Sequence, residues 1–290
     1  MSFRVIHSDA GVYVLRRQEG NIDIVIILYV DNILIMGNDK PLIIEIKKSL
    51  SNQEFKMKDL GPAESYLGMR ITRDRKRRLI WLDQVSYVTN ALNRFQLSNA
   101  NSTRTPLPSN VHLEAFTGTS TDEACTEYQQ MIGTLLYAAL GTRPDIAYTV
   151  TQLSRYMANP SKDHLHYAKY VFKYLVGTKE LRLRYDGLSQ AGLIGSPDSD
   201  WGENKDDRHS TSGNVFMMAN CAITWMCRRQ KVVATSVGEA EYMELSDTAK
   251  QCAWLRSFAH KINFSPTKGT PLCADNQAAI FIATNKAINQ

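Results

Sequence analysis

The sequence has no Cys-x-x-Cys pair. Its five cysteines (Cys125, Cys221, Cys227, Cys252, Cys273) are scattered. An odd number without a framework excludes a disulfide-stapled scaffold and fits free thiols in a reducing compartment. Histidine is scarce too, and His164 and His166 have no cysteine pair nearby, which argues against a zinc site. No apolar run is long enough to span a bilayer: the run around Leu28 is broken by Asp23 and by Asp31-Asn32. No signal-peptide pattern, internal repeat or low-complexity tract is visible. Neither sign of charge dominates, since 34 basic and 29 acidic side chains leave +5. That balance permits a polyanionic partner without demanding one. What remains is an ordinary globular composition in a chain of 290 residues, enough for roughly two domains.

Apolar patterning supplies the elements. Ile24–Val30 and Ile33–Met36 each read as a buried β-strand. Asp31-Asn32 joins them, a dipeptide that tolerates the left-handed backbone of a tight turn. Lys40–Phe55 has helical spacing through Leu42, Ile46 and Leu50. A second hairpin is expected from Tyr66–Thr72, a charged turn and Leu79–Asp83, then a helix over Gln84–Phe95. Leu97–Cys125 is rich in Ser, Thr, Asn and Pro and reads as a linker. Three amphipathic helices follow with short connections, as in a compact helical unit. They are Glu127–Leu140, with Gly141 as its C-terminal cap; Pro144–Met157, with Pro in the first turn and Asp145 beside it; and Asp163–Val176. From Leu188 on, strands near Ala191–Asp200, Asn214–Met218 and Ile223–Met226 precede a long helix, a strand at Pro271–Ala274 and a last helix. That order suggests an α/β layer.

Acidic residues gather at three places in this last region. Asp198 and Asp200 are two apart and share one face of a strand, although Pro197 suits a turn equally well. Ser236 and Glu239 have capping-box spacing, which gives Glu239 a structural task. Glu241 has no local partner; its plain alternative is a surface carboxylate near a positive helix end. Asp275 follows Leu272-Cys273-Ala274, at a strand end where open α/β sheets hold ligands; its plain alternative is a helix N-cap. Convergent carboxylates repel unless cations bridge them, and a pair of Mg²⁺ ions supplies that charge for in-line phosphoryl displacement.

Longer stretches resemble a known family. "LYVDNILIMGND" is similar to the Tyr-x-Asp-Asp hairpin of a polymerase, and "FKMKDLGPAESYLGMRI" to the stretch carrying its primer grip. "YQQMIGTLLYAALGTRPDIAYTVTQLSRYMANPSKDH" resembles thumb and connection helices. "SDWGENKDDRHSTSG", "TWMCRRQKVVATS", "EAEYMEL" and "ADNQAAI" follow an RNase H region in order. Jointly, over nearly the whole chain, they resemble the C-terminal part of the Pol polyprotein of copia-type LTR retrotransposons.

The resemblance implies an α+β chain truncated at both ends. Residues 1–102 would be the C-terminal part of a reverse transcriptase palm with two β-hairpins, 103–187 a linker and helical thumb/connection, and 188–290 an RNase H-like α/β domain. It implies RNA-directed DNA polymerase and RNase H activity by descent, Mg²⁺ and no other small cofactor, and a primer–template or RNA–DNA hybrid as partner. No membrane is involved, and the cytoplasm or nucleus is expected. Asp31 would be the first metal-binding acid of the hairpin, with Asn32 where the second is expected. Asp198, Glu241 and Asp275 would be RNase H metal ligands, with Asp200 and Glu239 supporting. Tyr66, Leu67 and Gly68 would form the primer grip. The basic run after it (Arg70, Arg73, Arg75, Lys76, Arg77, Arg78) is either a solvated turn or a phosphate contact. The helix "HYAKYVFKYL" reads as one buried and one solvated face.

Departures from the family temper the activity. Of the acids before Asp31 (Asp9, Glu19, Asp23), none stands in a setting like the family's upstream catalytic motif. Asn289 stands where the family has a His, and the fourth RNase H acid is absent. Asn32 offers a neutral carbonyl, not a charge. We therefore expect no autonomous polymerase activity and weak or absent RNase H activity. A non-catalytic nucleic-acid-binding remnant and a decayed transposon product are the alternatives.

Overall fold

Apolar alternation at the start of the chain builds a sheet larger than one hairpin. In the computed structural model, which describes residues 3–16, 22–51, 57–202, 204–264 and 268–285, the strands β1 (Arg4–Ile6), β2 (Asp9–Leu15), β3 (Ile24–Tyr29) and β4 (Asn32–Gly37) pair antiparallel in that order. The first two were not expected. They are short or begin with exposed polar positions, but Val12 and Val14 lie two apart on one buried face. Leu15, Ile24 and Ile26 form a core with Leu42 and Ile46 of helix α1 (Lys40–Ser51). Asp39 caps that helix by accepting from the Leu42 N–H at 3.0 Å. The expected continuation over 52–55 lies outside the described residues.

The hairpin turn falls one residue earlier than expected. Tyr29 pairs with Asn32, so the loop is Val30-Asp31, and Val30 takes a φ of 55°. The register that buries Ile24 and Ile26 puts Val30 in the left-handed turn position, although a β-branched residue is strained there. The expected strand Tyr66–Thr72 is likewise interrupted. Leu67 and Gly68 have φ of 47° and 72°, so the segment divides into β5 (Ser65–Tyr66) and β6 (Met69–Asp74). A Cβ on Gly68 would lie 2.5 Å from the Tyr137 hydroxyl.

Strand β7 (Leu79–Asp83) pairs with β6 and, on its other edge, with an unexpected strand β8 (Leu183–Asp186). Helix α2 (Val85–Arg94) follows β7. Between α2 and β8 the chain forms α3 (Asp122–Gly141), a 3-10 turn (Pro144–Ile146), α4 (Ala147–Ser154) and α5 (Lys162–Thr178). Tyr128, Met131, Leu135, Val150, Leu153 and Phe172 make their common core. Helix α3 starts before the expected Glu127 because the Thr121 side chain accepts from the Ala124 N–H, with Asp122 and Glu123 in the first turn. Gly141 is not the cap but the last helical residue. A Cβ there would meet Gln84 Oε1 at 2.5 Å, so the glycine makes room for a side chain that accepts from the Thr142 hydroxyl. Helix α4 stops at Ser154, before the expected Met157, in a run of turns. Ser161 and His164 form a capping box at the start of α5.

Asp145 has a partner stronger than a helix dipole. The buried Arg143 guanidinium bonds it through Nε and Nη2 and also donates to the Thr178 carbonyl and hydroxyl. Tyr174 donates to the same carboxylate at 2.8 Å. Arg143 is buried but Asp145 is exposed, so the pair is only partly withdrawn from water.

The last region contains β9 (Ile194–Ser199), β10 (Thr211–Met218) and β11 (Cys221–Arg229), antiparallel in the order β11-β10-β9. The long helix α6 (Val237–Lys261), a parallel bridge from Leu272 to Gly195, and α7 (Gln277–Thr284) follow. The described residues thus form an α+β chain with seven α-helices and three antiparallel sheets. They divide into two compact units: Met1–Leu67 with Lys250–Thr270, and Gly68–Ala249 with Pro271–Gln290. No helix among the described residues is long and apolar enough to cross a membrane.

Candidate functional site

Three segments of the second unit each deliver one acid to a common point. Asp198 lies on β9 opposite Gly213 of β10. Glu241 lies in the first turns of α6. Asp275 follows the bridge of Leu272 to Gly195, fixed by the Cys273 N–H donating to the Gly195 carbonyl at 2.8 Å. Glycine at 195 permits that approach, since a Cβ would stand 2.6 Å from Phe216 and 2.8 Å from Leu272. One oxygen from each carboxylate lies within 4.8 Å of the other two. The helix-cap alternative for Asp275 does not apply, because Asn276 caps α7 by accepting from the Ala279 N–H.

Asp198 and Asp275 are exposed, whereas Glu241 is 6% exposed. Burial pushes the Glu241 carboxyl above the usual carboxylate range, and the negative charges of Asp198 and Asp275 push it further. Hydrogen bonding from the Ser199 backbone opposes this. A hard divalent cation relieves the same repulsion, and a set of carboxylate oxygens is the donor type that Mg²⁺ takes. These residues fit such an ion.

The flanking acids have structural occupations. Asp200 accepts from the Thr211 N–H at 3.0 Å and donates its own N–H to the Thr211 carbonyl, prolonging the β9–β10 pairing. Ser236 caps α6 by accepting from the Glu239 N–H. The reciprocal half of the expected box is displaced: Glu239 accepts from the N–H of Thr235, one residue before the cap, at 2.7 Å. Hydrogen bonds from the Thr235 side chain and backbone hold the Glu239 carboxyl below its usual range.

A buried polar layer under the acids was missed by sequence reasoning. Glu244, fully buried, accepts at Oε1 from the Asn214 amide and the Thr248 hydroxyl, each at 2.8 Å. Gln230 donates to the Ser212 hydroxyl and the Ala240 carbonyl at 2.9 Å. These bonds tie α6 to β10. The available clue was spacing: Glu244 is three residues after Glu241, hence on the same helix face.

The hairpin acid is arranged differently. Asp31 is exposed at the β3–β4 tip and accepts a bond from the Asn32 amide at 3.1 Å. Among the described residues it joins no group of three ligating side chains. One charge beside a neutral amide does not fit two divalent ions. Of the residues expected to form a primer grip, Tyr66 buries its hydroxyl with no partner among the described residues, and burial raises its pKa. The basic run divides. Arg70 is bound through Nε and Nη2 to the fully buried Asp83, and Arg77 lies 3.8 Å from Asp74. Arg73, Arg75, Lys76 and Arg78 are exposed, with no ion pair among the described residues.

Comparison with known proteins gives these sites a context. The family described as reverse transcriptase (RNA-dependent DNA polymerase) matches residues 1–109. The chain is 39% identical over 284 residues to the retrovirus-related Pol polyprotein from transposon TNT 1-94 of Nicotiana tabacum, covering 96% of this chain and 21% of that one. It is 32% identical to the corresponding polyprotein from transposon RE1 of Arabidopsis thaliana, covering 96% and 18%. It is also 32% identical to a putative transposon Ty5-1 protein of Saccharomyces cerevisiae, covering 83% of this chain and 77% of that protein. The chain thus spans about a fifth of the two Pol polyproteins.

Proposed function

The chain belongs to the reverse-transcriptase-bearing Pol polyprotein family of copia-type retrotransposons, and from that premise we propose that it combines a palm segment (1–102), a thumb/connection segment (103–187) and an RNase H-like segment (188–290). Its substrate is an RNA–DNA hybrid or primer–template, met in the cytoplasm or nucleus. The convergence of Asp198, Glu241 and Asp275 carries this reading, because acids from a strand, a helix and the segment after the Leu272 bridge meet in the order that the resemblance requires.

These three carboxylates would hold Mg²⁺, which supplies Lewis acidity and an activated water for phosphodiester hydrolysis. Asp198 and Asp275, exposed, form the side open to a substrate phosphate. Glu241 anchors the site from below, its helix held by the Glu244–Asn214 bond. Asp200 and Glu239 act as positioning residues for β9 and α6. Three carboxylates hold one ion more readily than two, so cleavage is weak. At the palm hairpin Asp31 has no second acid, so the chain does not extend primers by itself.

The test is Mg²⁺-dependent cleavage of the RNA strand in an RNA–DNA hybrid. Weak cleavage that disappears in Glu241→Gln supports the assignment; cleavage that survives the substitution rejects it. Primer extension by the purified chain would refute the inactivity of the palm. A second reading, nucleic-acid binding without cleavage, is favoured by Arg73, Arg75, Lys76 and Arg78, which have no ion pair among the described residues.

A further inference from the structure

We propose that the Thr72–Trp81–Arg184 row across the β6–β7–β8 sheet binds single-stranded nucleic acid, with Trp81 stacking on a base and Arg184 holding a phosphate. This rests on the nucleic-acid reading above and adds a surface that the basic run does not contain. Antiparallel register sets Thr72, Trp81 and Arg184 side by side, because Thr72 pairs with Trp81 and Trp81 with Arg184. Directly paired residues share a face. On the opposite face Leu183 is buried, and Tyr185 donates its hydroxyl to the Ala222 carbonyl at 2.8 Å. On the Trp81 face Leu79 and Asp83 are buried, but in the row between them Thr72 and Arg184 are exposed and Trp81 is half-buried.

Trp81 differs from the other three tryptophans. Trp201, Trp225 and Trp254 donate their indole N–H groups to the carbonyls of Ala234, Ala139 and Ser8, and Trp254 also stacks on Phe258. Among the described residues Trp81 has neither a hydrogen bond nor an aromatic or cationic ring partner. Base stacking needs such an uncommitted ring and tolerates any base, but it requires a nucleotide freed from a duplex.

Charge fits the same ligand. Among the described residues Arg184 reaches only one acid, Asp186, at 4.0 Å, and its side chain is 56% exposed. A surface contact of that kind yields easily to a phosphate. Arg75, Lys76 and Arg78, which have no ion pair among the described residues, lie at the β6–β7 turn, whereas Arg73 pairs with Ile80 on the opposite face. The Gly187 N–H fixes the end of β8 to that turn by donating to the Arg78 carbonyl at 2.8 Å. Arg70, held by Asp83, is a fixed edge rather than a ligand.

The experiment measures binding of the whole chain to a fluorescent oligothymidine and to a duplex of the same length, by anisotropy over a salt series. Trp81→Ala is expected to weaken single-strand binding roughly tenfold with an unchanged salt slope and to leave duplex binding alone, and Trp81→Phe to restore most of the loss. Arg184→Gln is expected to lower the slope of log K against log salt by about 0.7 on the single strand. Thermal melts of each variant verify folding. If wild type binds and Trp81→Ala binds the single strand within about twofold of it, or loses the duplex equally, the stacking face is rejected while the nucleic-acid reading stands. If wild type binds neither ligand, both fall.

Discussion

At the β3–β4 tip one carboxylate stands in water with the Asn32 amide for company. At the end of β9 three carboxylates from distant segments meet above buried hydrogen bonds. The acids of the second group are spread over 78 positions, whereas Asp31 and Asn32 are adjacent. Adjacency on a hairpin supplies neither convergence nor burial. Convergence comes from β9, α6 and the segment before α7 being tied together by the Leu272–Gly195 bridge and by the Glu244 and Gln230 bonds. Carboxylates brought together in this way repel, and a cation would relieve that repulsion.

The largest effect that tests this contrast is cation-linked stability. Saturating Mg²⁺ should raise the melting temperature of wild type by the equivalent of about 2.7 kcal/mol at a hundredfold excess over Kd. Glu241→Gln should abolish the rise, and Asp31→Asn should keep it, as followed by differential scanning calorimetry. A rise lost in Asp31→Asn would break the comparison. Next in size, Glu244→Ala should cost about 1–3 kcal/mol in urea melts by leaving Asn214 and Thr248 unpaired, and should also blunt the Mg²⁺ response.

A pH scan separates the units. Burial holds the His164 imidazole below its ordinary 6.5, and Nδ1 accepts the Ser161 N–H at 2.9 Å, a site that protonation would remove. The unfolded chain therefore takes up the proton first as pH falls. Stability of the second unit should be complete above pH 6.5 and decline as pH drops through that value towards the lower folded pKa. The first unit, without this histidine, should not share the decline, and His164→Gln should flatten it. An unchanged profile in that variant would exonerate the histidine. Smallest of all, Asp31→Ala should alter stability by no more than about 0.5 kcal/mol, as expected of an exposed tip; a larger loss in urea melts would show hidden support.

Helices were largely legible because their apolar residues recur at helical spacing, as Leu42 and Ile46 do in α1. Their ends were less so. The start of α3 depended on Thr121, and the capping box of α5 uses His164 where a Glu or Gln is usual. Strands fared worse. β1 and β2 are too polar at their edges to stand out, and β8 has its partner far away in sequence. The acids of the candidate site were visible as residue types in an order, and that order and the family resemblance suggested their convergence; no spacing rule relates Asp198 to Asp275. Asp145 read as a helix-end acid because its partner's burial is a tertiary property.

The β7–β8 pairing also bears on how the chain folds. Leu79 meets Asp186 only after about a hundred residues of loop have closed, an entropic cost that grows slowly with length but must be met before any ladder bond forms. The helices between them shorten that loop as they pack around Tyr128 and Phe172. The helical nucleus should therefore form early and β8 zip onto β7 late, which places the Trp81–Arg184 row among the last surfaces to assemble.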